Sequence, residues 1–455
     1  MEDNKKKYLI ITYGCQMNIH DSELLAGMLE EMEYHQTAEI EEADLILINT
    51  CIIRENAELK FFGKVGSLKA LKEKKAGLII GVGGCMMQSD QAVKELYQKY
   101  PQVDLIFGTH NIHHLPDLIK RIEQERGRIV EVWKQEEGLI PDLPAKRENI
   151  SQAWVSIIQG CNNFCSYCIV PYVRGRERSR PVAGIMQEVN KLVADGVKEI
   201  TLLGQNVNSY GQDLGDEVDF ADLLQKLDKV DGLARIRYMT SHPRDFSQKL
   251  IDTIRKSEKV CEHFHLPIQS GSNHILTKMK RGYTREKYLD LIKKIREAVP
   301  DASITTDFIV GFPGEREEDF IATMDLVNQV QFDLAFTFIY SPRTGTPAAG
   351  MANQLEPEVK KERLNRLMKT QNLISLEKNK KLINSIVEVL VEGESKNNRM
   401  MYSGRDRKNK LVIFPKKDNA KGALVRVKIN RVQSFTLFGE IIEASFNKKL
   451  VVETG

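Results

Sequence analysis

Long hydrophobic runs are missing from this chain of 455 residues. No apolar stretch approaches the roughly 20 residues that a helix needs to cross a bilayer. A secretory signal is missing as well, because residues 1–7 are charged and lead directly into a short strand-like run. We therefore expect a cytoplasmic protein without membrane association, in a compartment where thiols stay reduced and cysteines can hold metal.

The chain also has little net charge, +3 at neutral pH, but the charge is unevenly distributed. Residues 378–455 carry 17 Lys and Arg against 8 Asp and Glu, a formal charge of +9, so the remainder of the chain is at −6. A basic C-terminal module on a mildly acidic body indicates a polyanionic partner. A solvated lysine-rich surface is the alternative, and charge alone does not separate the two.

Cysteine is scarce, with 7 residues, yet three of them share one short loop after an apolar run. The loop reads CNNFCSYC, and it places Cys161, Cys165 and Cys168 at CxxxCxxC spacing. Three thiolates at this spacing suit three irons of a [4Fe-4S] cluster and leave the fourth iron open. An open coordination position distinguishes a reactive metal site from a structural one.

Zinc and disulfide bonds are the two alternatives for this loop. Zinc prefers four ligands, usually in two pairs, and the nearest following histidine is His242. Three closely spaced cysteines leave one over when two of them pair. The spacing therefore favours the open cluster. Cys261 lies apart, inside an apolar run, and we interpret it as a packing residue of the core.

The first segment alternates strand and helix patterns, which predicts a doubly wound parallel sheet. Its apolar runs cover residues 8–13, 43–49, 77–82 and 103–107. Cys15, Cys51 and Cys85 each follow one of the first three runs. Because ligands bind beyond the carboxyl ends of parallel strands, we expect these thiols to meet in a second metal site. Three unrelated buried thiols are the alternative.

The longest segment contains six strand-and-helix units, which predict a partial (β/α)6 barrel with the Cys161 loop on its active face. Its predicted strands cover residues 153–158, 198–203, 234–239, 261–266, 302–310 and 332–339. Beyond residue 386 the chain becomes rich in strand patterns separated by turn residues. A small β-barrel is therefore expected at the C-terminus.

Polar residues near the predicted strand ends are candidates for a cofactor pocket, although caps and turns are their commoner use. From this set we select Gln205, Ser241, Gln269 and Asp307. A row of arginines follows the cysteine loop at every second position, and guanidinium forks suit phosphate oxygens. RNA contact is therefore predicted, with a solvated loop as the alternative, for Arg174, Arg176, Arg178 and Arg180.

The sequence resembles the radical S-adenosylmethionine (SAM) methylthiotransferases over almost its whole length. It is most similar to the subgroup that modifies N6-isopentenyladenosine at tRNA position 37. The resemblance is carried by YGCQMN (13–18), NTCIIREN (49–56), GGCMMQ (83–88), FGTHN (107–111), QGCNNFCSYCIVPYVRGRERSR (159–180), LGQNVNSYG (203–211), TSHP (240–243), HLPIQSGS (265–272) and TDFIVGFPGE (306–315).

This resemblance implies a domain plan and a set of cofactors. The plan is a methylthiotransferase domain at residues 6–125, a linker at 126–150, a radical SAM domain at 151–380 and an OB-like TRAM domain, which contacts RNA, at 381–447. The cofactors are two [4Fe-4S] clusters, on Cys161/Cys165/Cys168 and Cys15/Cys51/Cys85, together with SAM. Tyr167 is then expected beside the adenine of SAM, with loop packing as the alternative.

The implied reaction converts isopentenyladenosine to its 2-methylthio derivative, with one SAM for radical generation and one as methyl donor. The target C–H bond is unactivated, so no acid–base side chain is expected to be catalytic. The implied partners are tRNA and a reducing electron donor protein, and we expect a monomer. Two alternatives remain open: a sister enzyme acting on threonylcarbamoyladenosine or a ribosomal protein aspartate, and a non-catalytic iron–sulfur sensor that binds RNA.

Overall fold

The computed structural model describes residues 5–52, 55–125, 127–135, 143–147, 149–215, 218–417 and 420–444. Of the predicted linker, residues 126, 136–142 and 148 lie outside this description, as do residues 445–447 of the predicted C-terminal domain. No helix in the described part of the chain is long and apolar enough to cross a membrane.

The N-terminal segment forms a six-stranded sheet, and all of its neighbouring strands run parallel. The order across the sheet is β2-β1-β3-β4-β5-β6. Helices cover both faces, which is why the two central strands are buried along their full length. The strands are β1 (Lys7–Thr12), β2 (His35–Gln36), β3 (Leu45–Thr50), β4 (Ile79–Gly84), β5 (Leu105–Phe107) and β6 (Ile129–Glu131). The helices are α1 (Gln16–Glu31), α2 (Glu55–Ser67), α3 (Lys69–Lys74), α4 (Asp90–Lys99) and α5 (Leu115–Glu125).

The central segment builds two three-stranded parallel sheets, ordered β11-β10-β7 and β12-β13-β14. A single bridge between Ile236 and Val260 joins them, so the six strands form an open barrel with β14 at a free edge. The strands are β7 (Gln152–Ser156), β8 (Ile158–Gln159), β9 (Arg178–Ser179), β10 (Glu199–Leu203), β11 (Arg235–Tyr238), β12 (His263–His265), β13 (Ser303–Val310) and β14 (Leu334–Ile339). The helices are α6 (Val170–Val173), α7 (Val182–Ala194), α8 (Phe220–Asp228), α9 (Gln248–Lys256), α10 (Asn273–Lys278), α11 (Arg285–Ala298), α12 (Glu317–Val330) and α13 (Pro357–Lys380).

The first predicted barrel strand is divided in two. The chain leaves the barrel sheet after β7, and the short strand β8 then pairs with β9 in an antiparallel ribbon. Both strands of this ribbon have only two residues, too few for a pattern of alternation to reveal them. The ribbon closes the base of the Cys161 loop, and it was not predicted.

The C-terminal segment closes into a five-stranded barrel in the order β15-β16-β17-β19-β18. Its core is aliphatic and aromatic, and it includes Val389, Val412 and Phe414. The strands are β15 (Ile386–Ser395), β16 (Asn398–Asp406), β17 (Leu411–Pro415), β18 (Leu424–Val432) and β19 (Thr436–Ala444). The predicted fold class, a doubly wound parallel sheet followed by a partial (β/α)6 barrel and a small β-barrel, is thereby confirmed.

The two outer domains attach to opposite ends of the central barrel. Arg235 and Arg237, on β11, donate hydrogen bonds to backbone oxygens of Arg405 and Asp406 in the C-terminal barrel. Near the other end, Thr109 of the N-terminal domain donates to the backbone oxygen of Val173, which follows the Cys161 loop. The N-terminal domain is therefore the one that lies beside the active face of the barrel.

Candidate metal and cofactor centre

The first cysteine trio lies on a loop that is anchored at both of its sides. The backbone N–H of Cys161 donates to the oxygen of Gly175 at 3.1 Å, and Ser166 bonds the backbone oxygens of Lys278 and Met279. Cys161 and Cys165 are buried, and Cys168 is partly exposed. Burial raises the pKa of Cys168 to about 12, and the nearby Cys165 and Cys161 thiols add to this shift. The three sulfurs are therefore gathered in one low-dielectric site.

A buried arginine donates to this trio. The guanidinium of Arg281 lies with Nη1 3.4 Å from the Sγ atom of Cys165 and 3.3 Å from the Oη atom of Tyr167. Its Nη2 donates to the backbone oxygen of Pro267 at 2.6 Å, which fixes its direction. Arg281 thus offers a positive charge to a sulfur that becomes a thiolate when it binds iron.

The second trio assembles where β1, β3 and β4 end side by side. Cys51 and Cys85 directly follow β3 and β4, and Cys15 follows β1 by three residues. Two glycines allow this convergence. At Gly14 (φ +145°) an added Cβ would lie 2.8 Å from the Cβ of Cys51, and at Gly84 (φ +100°) it would lie 2.4 Å from the backbone oxygen of Thr50. Only glycine tolerates both the backbone angle and this close approach.

Polar side chains surround the second trio. Asn18 accepts a contact of 3.4 Å from Cys15 Sγ, and its amide nitrogen donates to Thr50 O at 3.0 Å. The Nε atom of Arg174 lies 3.1 Å from Cys85 Sγ. Burial raises the pKa of Cys85 to about 11, and Arg174 opposes that shift, whereas Asp21 and the thiols of Cys51 and Cys15 reinforce it. The three N-terminal cysteines are therefore electrostatic neighbours.

The donor chemistry of both trios fits an iron–sulfur cluster, because thiolate sulfurs are the ligands that bind the irons of such clusters. In a cubane, each thiolate binds a different iron. Two sets of three neighbouring, buried or partly buried thiols satisfy that requirement.

Unpartnered polar atoms line the barrel beyond its strand ends. Among the described residues, buried atoms without a hydrogen-bond partner include Gln205 Oε1, Ser241 Oγ, His242 Nε2 and Gln269 Oε1. These residues follow β10, β11 and β12. A buried polar atom without a partner costs free energy, about 1–3 kcal/mol each, so a polar ligand would remove that cost. The site therefore fits a small molecule with several polar groups, such as SAM.

Backbone strain coincides with this pocket. Gln269 has a φ of +75°, and Thr240, the residue before Ser241, has a φ of +46°. Non-glycine residues in this region cost about 1–3 kcal/mol and are found preferentially at functional sites. Backbone bonds of Gln269 with Asp307 and Ile309 hold it in place. The side chain of Asp307 lies on the inner face of the barrel, with Oδ1 3.5 Å from His265 Nε2.

Tyr167 packs at the boundary of the pocket. Its ring belongs to an apolar cluster with Met279, Phe312 and Tyr340, and Ile309 packs against the same cluster. Burial raises its pKa well above the ordinary value for tyrosine. Its hydroxyl accepts from Arg281, as described above. The structure thus shows the loop-packing role of Tyr167 and places its ring next to the first trio.

The free edge of the barrel presents aromatic side chains. Phe336 and Phe338 on β14 are 50% and 52% exposed, and they are paired in register with Asp307 and Ile309. Phe336 also contacts the ring of His265, with centroids 6.0 Å apart. Exposed aromatic rings on an edge strand are unusual unless a partner covers them. They form an apolar flank to the polar pocket.

The row of four arginines does not behave as one surface. Arg180 is buried and bonds Glu188 and the backbone oxygen of Ser156, and Arg174 is buried against Asp21 and Cys85. Internal partners thus occupy both guanidinium groups, which favours a structural role for these two residues, and their contact with RNA stays a prediction. Arg178 is half-buried and bonds Gln159, whereas Arg176 is exposed beside the ring of Phe164.

Several residues of the site escaped sequence reasoning, namely Asn18, Asp21 and Arg281. Their partners are distant along the chain, and a single isolated charge carries no spacing signal. The one available signal was that Asn18 ends the motif YGCQMN. Cys261 is buried as expected, but it borders Arg237 rather than a purely apolar core.

Comparisons with known proteins agree with this architecture. Family profiles match at residues 155–327 (Radical SAM superfamily), 7–108 (Uncharacterized protein family UPF0004) and 380–442 (TRAM domain). Among solved structures, the radical S-adenosylmethionine methyltransferase TsrM from Kitasatospora setae, with cobalamin and a [4Fe-4S] cluster bound, has a TM-score of 0.56 at 14% identity. That match covers 76% of this chain and 74% of the other chain, and it supports the fold alone.

Curated relatives are much more similar. The tRNA-2-methylthio-N(6)-dimethylallyladenosine synthase of Alkaliphilus oremlandii is 56% identical over 438 residues, which are 96% of this chain and 93% of that protein. The synthase of the same name from Natranaerobius thermophilus is 54% identical over 97% of this chain and 98% of that protein. The chain therefore belongs to the family of tRNA-2-methylthio-N(6)-dimethylallyladenosine synthases, and it is a radical SAM methylthiotransferase with a TRAM domain.

Proposed function

We propose that this methylthiotransferase converts N6-isopentenyladenosine at position 37 of tRNA to its 2-methylthio derivative. The observation that carries the proposal is a contact between the loop of the first cysteine trio and one cysteine of the second. Ile169, the residue after Cys168, lies in one apolar cluster with Cys85 and Val173. Two sulfur-rich sites that border the same apolar cluster are suited to a reaction in which one carbon is first activated and then receives sulfur.

Each trio has a defined task in this proposal. Cys161, Cys165 and Cys168 hold one [4Fe-4S] cluster, and Cys15, Cys51 and Cys85 hold a second. When bound, the clusters and SAM supply the one-electron chemistry, the sulfur and the methyl group that side chains cannot provide. The residues of the chain bind, orient and shield these groups.

The polar pocket binds SAM in this scheme. Gln205, Ser241 and Gln269 offer buried atoms that lack partners, and Asp307 adds a carboxylate on the inner face of the barrel. His242 contributes a neutral ring, because burial and the charges of Arg281 and Arg244 lower its pKa to about 2. A neutral ring nitrogen can accept or donate one hydrogen bond without adding charge to the pocket.

The substrate base enters at the free edge of the barrel. Phe336 and Phe338 offer faces on which an adenine and an apolar isopentenyl group can stack, and unstacked bases of RNA loops commonly bind aromatic side chains in this way. The basic C-terminal barrel and Arg176 supply phosphate contacts. Exposed Lys and Arg of that barrel include Lys396, Arg399, Lys416, Lys417, Lys421, Arg426, Lys428 and Arg431.

The cellular setting completes the proposal. A cytoplasmic location suits a tRNA substrate and cysteines that must stay reduced. In this proposal the enzyme acts as a monomer, and a separate reducing protein supplies its electrons. We propose no association of the enzyme with a membrane.

Anaerobically purified protein tests the proposal directly. Roughly eight irons per chain are expected for two four-iron clusters. The reduced protein should form 5′-deoxyadenosine from SAM, and tRNA bearing isopentenyladenosine should gain the 2-methylthio group, as measured by mass spectrometry of nucleosides. A product on threonylcarbamoyladenosine or on a ribosomal protein instead would assign the sister reaction. Absence of 5′-deoxyadenosine from the iron-loaded protein would favour a non-catalytic sensor.

A further inference from the structure

One side chain of the barrel segment reaches into the cysteine site of the N-terminal domain. Arg174 directly follows α6 (Val170–Val173) and is 6% exposed. Its Nε atom donates to Cys85 Sγ at 3.1 Å, and its Nη2 atom donates to Asp21 Oδ2 at 2.5 Å. One guanidinium group carries several N–H donors in a rigid plane and can therefore bond both residues at once, whereas the ammonium of lysine is a point charge.

The backbone around Arg174 is held in the same direction. Val173 and Ile169 pack against Cys85, and Thr109 Oγ1 donates to the backbone oxygen of Val173 at 2.9 Å. The backbone N–H of Arg174 donates to Val170 O at 2.8 Å, which closes the short helix. The position of the guanidinium is therefore set by packing on both sides of the domain boundary.

We propose that Arg174 is a positioning residue of the N-terminal trio: it orients the Cys85 sulfur and stabilises the added negative charge when a cluster bound there is reduced. This inference rests on the second cluster of the proposed function. Hydrogen bonds to ligand sulfurs and nearby charge are principal determinants of the potential of an iron–sulfur cluster. A buried cation donating directly to a ligand sulfur raises that potential, since the reduced state carries one more negative charge.

The same contact links the two sites mechanically. Arg174 lies six residues after Cys168 on one continuous segment, and it binds a sulfur of the other trio. Neighbouring arginines do not share this geometry, because Arg176 is exposed and Arg180 pairs with Glu188 inside the barrel segment. The guanidinium of Arg174 thus bonds two residues of the N-terminal domain.

A redox titration of the full-length chain tests the inference. The background protein carries Cys161→Ala, Cys165→Ala and Cys168→Ala, so that only the N-terminal trio can take up a cluster. Electron paramagnetic resonance follows the reduction of that cluster. Arg174→Gln should lower the ratio of reduced to oxidised cluster at fixed potential by about tenfold or more, which corresponds to about 59 mV for one electron. Arg176→Gln, in the same loop but exposed, is the matched control and should leave the ratio unchanged.

Arg174→Lys supplies a second measurement. Lysine keeps the charge but cannot bind Asp21 and Cys85 together, so its shift should lie between those of the parent protein and Arg174→Gln. A midpoint in loaded Arg174→Gln equal to that of Arg176→Gln overturns the inference. If Arg174→Gln binds no iron while Arg174→Lys and Arg176→Gln do, loss of the buried positive charge beside Cys85 is the cause and the inference stands.

Failure at an earlier step has a different meaning. If the background protein itself does not hold about four irons, the second cluster of the proposed function is overturned and this inference falls with it. If it holds them and the potential does not respond to Arg174→Gln, only the role of Arg174 is overturned. The two failures are therefore distinguishable by the iron content.

Discussion

The Nη1 atom of Arg281 lies 3.4 Å from the Sγ atom of Cys165, although 116 residues separate the two in the chain. Arg281 is 4% exposed, and its Nε atom donates to Tyr283 Oη at 3.0 Å while Nη2 donates to Pro267 O. Each cysteine trio therefore has one buried arginine on one of its sulfurs: Arg281 for the first, Arg174 for the second. In both cases the arginine also binds a second group that fixes its direction.

Replacing Arg281 with glutamine should slow cleavage of SAM by about 10- to 100-fold, the usual effect of removing a residue that orients a metal ligand. The physical reason is the loss of a buried positive charge next to Cys165. The measurement is 5′-deoxyadenosine formed by the reduced protein, normalised to iron content. Arg285→Gln is the control, because Arg285 pairs with Asp325 on α12, away from the cysteines. Cleavage at the parental rate in folded Arg281→Gln would contradict this role.

Much of the scaffold was predictable because local patterns determine it. Buried parallel strands read as short apolar runs, and the rule that ligands bind beyond strand ends was enough to group Cys15, Cys51 and Cys85. The structure places those residues at the ends of adjacent strands, as the rule requires. The CxxxCxxC spacing likewise lies within one loop, so no long-range information was needed.

Contacts between distant segments were not predictable. The row from 174 to 180 has a regular two-residue period, which by itself suggests one uniform surface. The structure buries Arg174 and Arg180 because the N-terminal domain covers one and Glu188 pairs with the other. Burial of a charge depends on what packs against it, and a single sequence does not contain that information.

The aromatic edge of the barrel predicts a defect in substrate binding. Stacking of one base on an aromatic ring contributes about 1–3 kcal/mol, so Phe338→Ala should weaken binding of an anticodon stem-loop by about 5- to 150-fold. Fluorescence anisotropy with isopentenylated and unmodified RNA measures the effect, which should be larger for the modified RNA. Ile321→Ala, an equally exposed apolar residue on α12, should change neither affinity. Equal losses in both variants would argue against the stacking role.

Docking of the C-terminal barrel depends on Arg235, which is 1% exposed. Its Nη2 donates to Glu388 Oε1 at 2.7 Å, and its Nη1 donates to Arg405 O at 3.0 Å. Its Nη1 also lies 3.7 Å from Glu199, which is buried as well, and removing one partner of a buried ion pair typically costs about 3–5 kcal/mol. Arg235→Met should therefore lower the unfolding temperature of the C-terminal barrel in scanning calorimetry. Arg399→Met, which removes an exposed charge from β16, should leave that temperature nearly unchanged.

Acid should destabilise the protein partly through His110. Burial, reinforced by Arg178 and Arg174, lowers the pKa of His110 to about 4, and its Nε2 atom has no hydrogen-bond partner in the structure. In the unfolded chain the pKa returns to about 6.5, so below that pH the unfolded state binds a proton that the folded state excludes. Between pH 6.5 and about 4, this one residue should lower the free energy of unfolding by up to about 1.4 kcal/mol per pH unit.

His110→Gln removes this proton linkage. The variant should therefore lose less thermal stability than the parent protein when iron-free samples are moved from pH 7 to pH 5, even if its stability at pH 7 is lower. The unfolding temperature, followed by circular dichroism across the pH range, measures the difference in slope. His35→Gln is the control, because His35 is exposed at the edge strand β2 and its replacement should leave the slope unchanged. Parallel slopes for the parent and His110→Gln would show that His110 is protonated equally in the folded and the unfolded state. Only a difference in the number of bound protons between these states makes stability depend on pH.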